Sequence, residues 1–563
     1  MKKFLPILTW LPNYKKEYLG GDISAGLTVG VMLIPQGMAY AMIAGLPPVY
    51  GLYAAMIPQL VYAIFGTSRQ LGVGPVAMDS LLVAAGISAI AEAGSENYIA
   101  LAILLALMMG TIQLILGIAR MGFLVNFLSK PVINGFTSAA ALIIGLNQLK
   151  HLIGVDIARN NNIFLIIFDA VEHFASIHWI SVIIGISAII ILKHVKKIHQ
   201  AIPGALVAVI LGVVLVKYLE LYTLGVKIVG EVPKGLPSFA VPILDTSYFN
   251  DLIPIAFTLA LIAFMEAVSV AKAIQVNHKD EYKIDSNQEL IGLGLGNVIG
   301  SFFSSFPTTG GFSRSAVNEQ LGAKTNFAAI ISASLVALTL LFLTPLFYYL
   351  PNAILAAIIM VAVFGLIDTK FPVLLWKTKK EDFLMLAISF GVTLGLGIKE
   401  GIGVSVAMSL LAMIYRSTRP HFAVLGKMPN SKEYRNINRF DNLEVDNNIL
   451  IFRYDADLYF ANTTHFIDSI TKEIDTRGES LKLVILQGAS FSHIDSTAYQ
   501  AITELIEYLQ KRNIKIYFTH IIGPTRDFFE KMEIKKLLGD SNCFLDIDSA
   551  ITAFNKEEKN TIT

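Results

Sequence analysis

The stretch Phe306-Pro307-Thr308-Thr309-Gly310-Gly311-Phe312-Ser313-Arg314-Ser315 decides how this chain is read. It lies deep in an apolar sequence, yet it holds a proline, paired glycines, several hydroxyls and an arginine. Pro307 and the glycines stop a helix entering from Phe302-Phe303, and the hydroxyl-rich segment from Ser313 reads as the start of a new half-helix. A helix N-terminus offers free N–H groups and the positive end of the helix dipole, which together suit an anion. Broken helices at membrane depth occur where they line a cavity. Arg314 points the same way, because an arginine at the bilayer centre costs about 2.5–3.5 kcal/mol on insertion scales. The competing reading is a re-entrant loop whose arginine snorkels to the interface. An anion site is expected here.

Composition agrees with a membrane setting. Of 563 residues, 54% are hydrophobic and only 15% charged, against about 25% charged in soluble domains, and the mean hydropathy is +0.61. A net charge of +1 argues against nucleic-acid binding, which needs a basic surface. The single cysteine, Cys543, excludes an internal disulfide framework and a multi-cysteine metal site. The histidines show no metal-ligand spacing, and no cofactor is expected. No nucleophile–base pair or nucleotide loop appears, so the chain does not read as an enzyme. Gly292-Leu293-Gly294-Leu295-Gly296 lacks a strand–helix context and reads as close helix packing.

Two parts differ in composition. Residues 1–418 form a series of apolar segments; residues 424–556 form an α/β pattern with most of the charge, and 557–563 a short tail. Fourteen spans are expected, near 23–43, 48–66, 75–92, 98–118, 123–147, 176–192 and 201–219, then 252–271, 288–304, 312–323, 327–346, 352–367, 382–397 and 401–416. The third and tenth are short enough to be half-helices preceded by extended chain. With the N-terminus inside, the inner loops collect basic residues such as Lys15, Lys16, Arg69, Arg120, Lys377, Lys379 and Lys380. The outer loops hold few, so both termini are expected on the cytoplasmic face of the cell membrane. Gly72-Val73-Gly74-Pro75-Val76-Ala77-Met78-Asp79-Ser80 sits third in the first set of seven, as the opening stretch does in the second. An odd number of spans per set inverts one half relative to the other, and matched interruptions mark a substrate site. Pro75 is expected in the first turn of its half-helix.

Ile34-Pro35-Gln36-Gly37-Met38-Ala39-Tyr40-Ala41, running on through Gly45-Leu46-Pro47-Pro48-Val49-Tyr50-Gly51-Leu52-Tyr53, resembles the signature of the SulP sulfate permeases. Gly66-Thr67-Ser68-Arg69, Phe264-Met265-Glu266-Ala267 and Ser313-Arg314-Ser315 are similar to further motifs of that family, and the resemblance covers essentially the whole chain. It implies a polytopic α-helical membrane protein: a seven-plus-seven inverted-repeat, fourteen-span transporter with core and gate domains and a C-terminal α/β STAS domain. Members carry sulfate, bicarbonate, chloride, oxalate or dicarboxylates, as proton or sodium symporters or as exchangers. The expected activity is secondary active transport of a small inorganic or organic anion by alternating access. Proton-coupled symport of sulfate, a related oxyanion or a dicarboxylate leads; sodium-coupled bicarbonate symport, exchange and a channel remain as alternatives. By the same resemblance, Phe312, Ser313 and Arg314 line the anion site with backbone N–H groups near Val76 and Ala77, and Gln36 and Tyr40 contact the substrate. Glu266 matches the carboxylate used by proton-coupled members. Partners implied are membrane lipid, a second copy of the chain, and a cytoplasmic regulator at the STAS domain.

The residues add to this on their own terms. Glu266 sits inside an apolar span, where an ionised carboxylate is expensive and functional by default; the alternative is a permanent ion pair with Arg314 or Lys272. Asp79 stands where the family pattern has an apolar or hydroxyl residue. Facing the cavity, it would be a second coupling group, for proton or sodium, and would repel a divalent anion when ionised; the alternative is a polar contact between helices. Gln36 and Tyr40 are four apart and share one helix face. In the tail, Asn448–Tyr454, Leu481–Leu486 and Ile514–Phe518 read as strands, and Ala498, Ala501, Ile502, Leu505, Ile506 and Leu509 fall at helical spacing. A sheet covered by helices follows. Asp495-Ser496-Thr497-Ala498 resembles the STAS loop, in which capping of the next helix competes with phosphorylation as the role of Asp495-Ser496.

Overall fold

The computed structural model describes residues 5–562 except 89, 124–128, 156–162, 174–175, 199–203, 244–245, 279–280, 366, 533 and 539–541. The chain divides into two compact units, Met1–Ser409 and Leu410–Thr563.

Each expected span coincides with a helix: α1 (Leu19–Ile43), α2 (Pro48–Phe65), α3 (Ala77–Ile87), α4 (Glu96–Ile118), α5 (Lys130–Asn147), α6 (Trp179–Ile198) and α7 (Gly204–Tyr218), then α8 (Phe249–Gln275), α9 (Ser286–Ser301), α10 (Phe312–Gln320), α11 (Phe327–Leu338), α12 (Asn352–Phe364), α13 (Lys380–Leu396) and α14 (Ile398–Thr418). Parts of the expected third, fifth, seventh and twelfth spans (89, 124–128, 201–203 and 366) lie outside the described residues. α14 runs across the division between the units, so the boundary expected at 418 falls within a helix at 409. Among the described residues, six helices are long and apolar enough to cross a membrane by length and composition alone. α3 and α10 are not among them. At 11 and 9 residues and 1.5 Å per residue they reach only about half of a bilayer core of roughly 30 Å.

Extended chain supplies the other half. β1 (Gly72–Gly74) and β2 (Thr309–Gly311) pair antiparallel at the centre of the bundle, Gly72 facing Gly311, Val73 facing Gly310 and Gly74 facing Thr309. Each strand leads into its half-helix, so α3 and α10 start from one crossing and the inversion of the two halves is visible in the strand directions. Pro75 does not enter the first turn of α3 as expected. It precedes the N-cap, Val76, because its carbonyl is held by the arginine of the opposite half.

Close helix packing accounts for the glycine run. A Cβ on Gly294 would lie 2.8 Å from the Gly110 carbonyl oxygen, and one on Gly296 would lie 3.1 Å from that of Pro58. α9 therefore lies backbone to backbone against α4 and α2, as small residues permit.

In the C-terminal unit, β3 (Phe422–Lys427), β4 (Tyr434–Asn436), β5 (Ile449–Tyr454), β6 (Leu483–Gln487), β7 (Lys515–Thr519) and β8 (Cys543–Phe544) form one sheet in the order β4-β3-β5-β6-β7-β8. β5 through β8 run parallel, with β3 and β4 antiparallel at one edge. Alternate strand residues serve opposite faces. Leu450, Phe452, Val484, Leu486, Ile516 and Phe518 pack with Phe466 and Ile470 of α15 (Thr463–Arg477) and with Ile502 and Ile506 of α16 (Ser496–Lys511). Ile449, Ile451, Leu483, Ile485 and Tyr517 pack with Ile547, Ala550 and Phe554 of α17 (Ile547–Ile562). Two expected limits shift. The sheet begins at Phe422, before 424, and α17 runs through the described part of the expected tail, 557–562; residue 563 lies outside the described residues.

Candidate anion-binding site

The strand crossing sets the geometry. Neither α3, with N-cap Val76, nor α10, with N-cap Gly311, has a side-chain cap. Side-chain caps occur on α4 (Ser95), α9 (Asp285) and α16 (Asp495), while α1, α2, α5 and α8 lack one as the half-helices do. The first N–H groups of α3 and α10 have no intrahelical acceptor, and they open onto a cavity of about 770 Å³.

Arg314 joins the two halves. It is 1% exposed, so it does not snorkel. Its Nη1 donates to the Pro75 carbonyl at 2.8 Å and its Nε makes a long contact to the Gly72 carbonyl at 3.4 Å, while Nη2 is buried without a partner. A Cβ on Gly72 would sit 2.8 Å from Arg314 Cβ, and one on Gly311 would sit 2.7 Å from Nη2. Both positions need glycine because the arginine threads between them. Ser315 completes the joint, accepting from Gly72 N at 2.9 Å and donating to the Gly311 carbonyl at 2.7 Å.

Eight of the nine residues expected at the site line the cavity: Gln36, Tyr40, Val76, Ala77, Glu266, Phe312, Ser313 and Arg314. On α1, Thr28 and Met32 continue the Gln36–Tyr40 face at the same spacing of four. That stripe reached two positions further than Gln36 and Tyr40 alone suggested, and the period would have found them. α1 runs on through Pro35 as one helix, and Gln36 Oε1 is buried without a partner. Ile358, Val361 and Ala362 of α12 and Leu192, Gly204 and Ala205 of α6 and α7 complete the lining. The cavity is thus a seam between helices that supply the polar lining side chains and helices whose lining is apolar.

Asp79 is the exception. It is buried at 0% exposure in the first turn of α3, behind the cavity wall, and both carboxylate oxygens lack partners. The charge that reaches it is that of Glu266. Glu266 lies within the field of Arg314, as does Tyr40. Glu266 Oε2 is buried without a partner, and neither Glu266 nor Asp79 makes an ion pair among the described residues. The permanent pair of Glu266 with Arg314 or Lys272 is not formed.

Several residues that hold the site escaped the sequence reading. Asn297 of α9 donates to the Thr308 carbonyl at 2.9 Å and accepts from Thr308 N at 2.8 Å, fixing the entry to β2. Thr309 Oγ1 donates to the Ala263 carbonyl of α8 at 2.7 Å. Glu289 accepts from Thr67 N (2.7 Å), Thr67 Oγ1 (2.6 Å), Ser68 N (3.2 Å) and Tyr62 OH (2.7 Å). Asp22 accepts from Lys324 N (2.7 Å), Thr325 N (3.1 Å), Thr325 Oγ1 (2.6 Å) and Tyr14 OH (3.1 Å). An amide in an apolar helix was the available signal for Asn297. The two acids look like ordinary first-turn residues.

Residues 19–389 match the family described as the sulfate permease family, and 442–550 match the STAS domain. The chain belongs to the sulfate permease family. Within that family, it is 40% identical over 540 residues to sulfate transporter 4.1, chloroplastic, of Arabidopsis thaliana, covering 93% of this chain and 78% of that one. High affinity sulfate transporter 2 of Stylosanthes hamata is 34% identical over 581 residues, covering 98% and 87%. Among solved structures, this chain is similar to SLC26A9, with a TM-score of 0.91 at 26% identity over 100% of this chain and 94% of that one. Similarity extends to murine solute carrier 26 family member A9 in the inward-facing state, with a TM-score of 0.89 at 26% identity, covering 98% and 93%. The transmembrane domain of the cyanobacterial bicarbonate transporter BicA shares the fold, with a TM-score of 0.61 at 23% identity over 71% of this chain and 98% of that one. In the STAS domain, Asp495 Oδ1 accepts from Ala498 N at 2.8 Å and Oδ2 from Phe460 N at 2.8 Å. Capping is its role in this structure.

Proposed function

We propose that this chain is a secondary active anion transporter, a proton symporter for sulfate or a related oxyanion or dicarboxylate, working by alternating access. The observation that carries the reading is the meeting of two uncapped half-helices at Arg314, whose Nη2 is left without a partner beside an open cavity. Two dipole ends, free N–H groups and a fixed guanidinium suit a tetrahedral or planar oxyanion. Ser313 and Phe312 are exposed on the cavity side of that crossing, while Gln36 and Tyr40 offer an amide and a phenol from α1. Relatives named as sulfate transporters support sulfate as the first substrate to try.

Coupling is assigned to Glu266. It stands on the cavity wall in the field of Arg314, so an anion that engages the arginine removes the charge that favours an ionised carboxylate there. Binding of the anion and uptake of a proton by Glu266 then assist each other. Alternating access is assigned to movement of the polar helix group against the apolar one across the seam. The cavity reaches Gln320, the last residue of α10, and Thr28 in the N-terminal half of α1, toward the side that the loop charges make cytoplasmic, so this conformation is read as inward-facing. A homodimer and regulation through the STAS domain belong to the same proposal.

Labelled sulfate uptake into proteoliposomes, with and without an inward proton gradient, tests it. Wild-type uptake should follow the gradient, and Glu266→Gln should abolish that dependence. Uptake indifferent to the gradient in both proteins would replace symport by exchange or a channel. Sulfate that moves under no gradient would redirect the assay to bicarbonate with sodium.

A further inference from the structure

Asp79 is left over by this mechanism. It is fully buried, it touches neither the cavity nor any hydrogen-bond donor, and it sits where the sequence could have had an apolar residue at no cost. A buried ionised carboxylate without a partner costs several kcal/mol, so a role that includes a proton is indicated. The surroundings restrict where that proton comes from. α3 packs against α1, α4, α5, α8 and α12. Of these, α8 contributes Glu266, while α4, α5 and α12 bring no charged group to Asp79. Tyr40 of α1 and Arg314 of α10 share the cavity wall with Glu266, which Asp79 does not reach. Glu266 lines the cavity and Asp79 does not, so Glu266 is the acid that both meets cavity water and acts electrostatically on Asp79.

We propose that Asp79 is a second proton site, loaded from the cavity through Glu266, and that it sets how many protons travel with each divalent anion. The proposal rests on Glu266 being the coupling carboxylate. A proton from cavity water binds Glu266 and passes to Asp79, and Glu266 then takes another proton from the cavity as the anion settles against Arg314. Both are released on the far side after the anion leaves. Charge explains why a second carboxylate is useful. With both acids protonated, Arg314 and a dianion sum to one net negative charge. With both ionised and the site empty, Arg314 and the two carboxylates also sum to one net negative charge. The moving part then carries the same charge in both directions. With Glu266 alone, the loaded form would be negative and the empty form neutral.

The test is the zero-flux condition for labelled sulfate in proteoliposomes of the full-length protein, with pH gradient and membrane potential set independently. For a second coupled proton, the sulfate ratio at zero flux should change about 100-fold per pH unit and ignore voltage, whereas a single proton gives about 10-fold. Wild type should show the steeper slope. Asp79→Asn should fall to about 10-fold per pH unit, with accumulation opposed by an inside-negative potential, and Asp79→Glu should restore the steep, voltage-independent behaviour. A wild-type slope of about 10-fold that Glu266→Gln removes would overturn the Asp79 assignment and leave symport standing. An Asp79→Asn slope equal to wild type, or a zero-flux ratio set through Asp79 by sodium, would overturn it too. Were Asp79→Asn to misfold, Asp79→Ser takes its place with the same fall in slope expected, and a shallow wild-type slope overturns the assignment without any variant. A wild-type ratio that ignores pH sinks the symport reading itself.

Discussion

Among the described residues of the membrane unit, three buried carboxylates and one half-buried on the cavity wall, Glu266, fall into two pairs that differ in one respect. Asp22 and Glu289, at the rim, each accept two successive backbone N–H groups, a threonine hydroxyl and a tyrosine hydroxyl. Glu266 and Asp79, at the centre, have buried oxygens with no partner. Both rim acids sit on long helices and grip the loops that flank the half-helices: Thr67-Ser68 before β1, and Lys324-Thr325 after α10. A carboxylate whose lone pairs are filled by fixed donors is a rivet and has no reason to change protonation. One left unfilled in the same medium is held there at a cost, and a group that must gain and lose a proton has to be left that way.

The sharpest way to break this contrast is to remove a rivet. Glu289→Ala leaves four donors without an acceptor; at about 1–3 kcal/mol for each buried orphan, the loss is a large part of a typical stability of about 5–15 kcal/mol. Little monodisperse protein should survive detergent extraction, as read by size-exclusion chromatography. Asp22→Ala should follow the same course, somewhat more mildly, since its bond from Tyr14 is long at 3.1 Å and only part-buried. Wild-type yield for either variant would show that unfilled and filled carboxylates do not differ in kind.

Gly72→Ala comes next. Its methyl group would overlap Arg314 Cβ at 2.8 Å, and overpacking of this sort costs about 1–3 kcal/mol. Because Arg314 must move, sulfate uptake should fall roughly tenfold or more, in line with that energy, while the protein still purifies intact. Glu266→Gln should perturb stability less, within about 1 kcal/mol, because it removes a charge that no donor was satisfying. Its thermal unfolding should match wild type even as gradient-driven uptake is lost.

These cases also show what the sequence could reveal. The half-helices and their place in the two repeats were legible, and eight of the nine residues expected at the site line one cavity, because proline, glycine and an arginine in an apolar run break local rules in a way that a cavity explains. The succession of apolar segments carried the span count, and loop charge the expected orientation. The rivets were not legible: Asp22 and Glu289 obey local rules, and their partners lie far along the chain, at Thr325 and Thr67. Asp79 was visible as an anomaly, but whether it faced the cavity depended on how α3 turned in its packing, and it turned inward. Pro75 was placed two positions too far into α3, which begins at Ala77, because the demand of Arg314 on its carbonyl comes from the other repeat.

The smallest effect sharpens the contrast from outside the membrane. Glu557 of α17 lies in the stretch expected to be a loose tail, and it is engaged by Lys515 and Tyr517 of β7. The hydrogen bond from Lys515 holds its carboxyl below the usual range, with partial burial acting against it. A depressed native pKa means that the pair's contribution is complete above the ordinary glutamate value and disappears as pH falls through the depressed one. Both side chains are close to half exposed, so solvent screening limits the contribution to less than about 1 kcal/mol. Glu557→Gln should therefore lower the unfolding temperature of the C-terminal unit slightly at neutral pH, and the difference from wild type should vanish under acid conditions. Salt should shrink it as well, since the pair is screened. Here a filled carboxylate has water as an alternative partner, and that is why filling it matters so much less than at Glu289. If Glu557→Gln destabilised the protein as severely as Glu289→Ala, burial would lose its place as the variable that separates rivet from ornament.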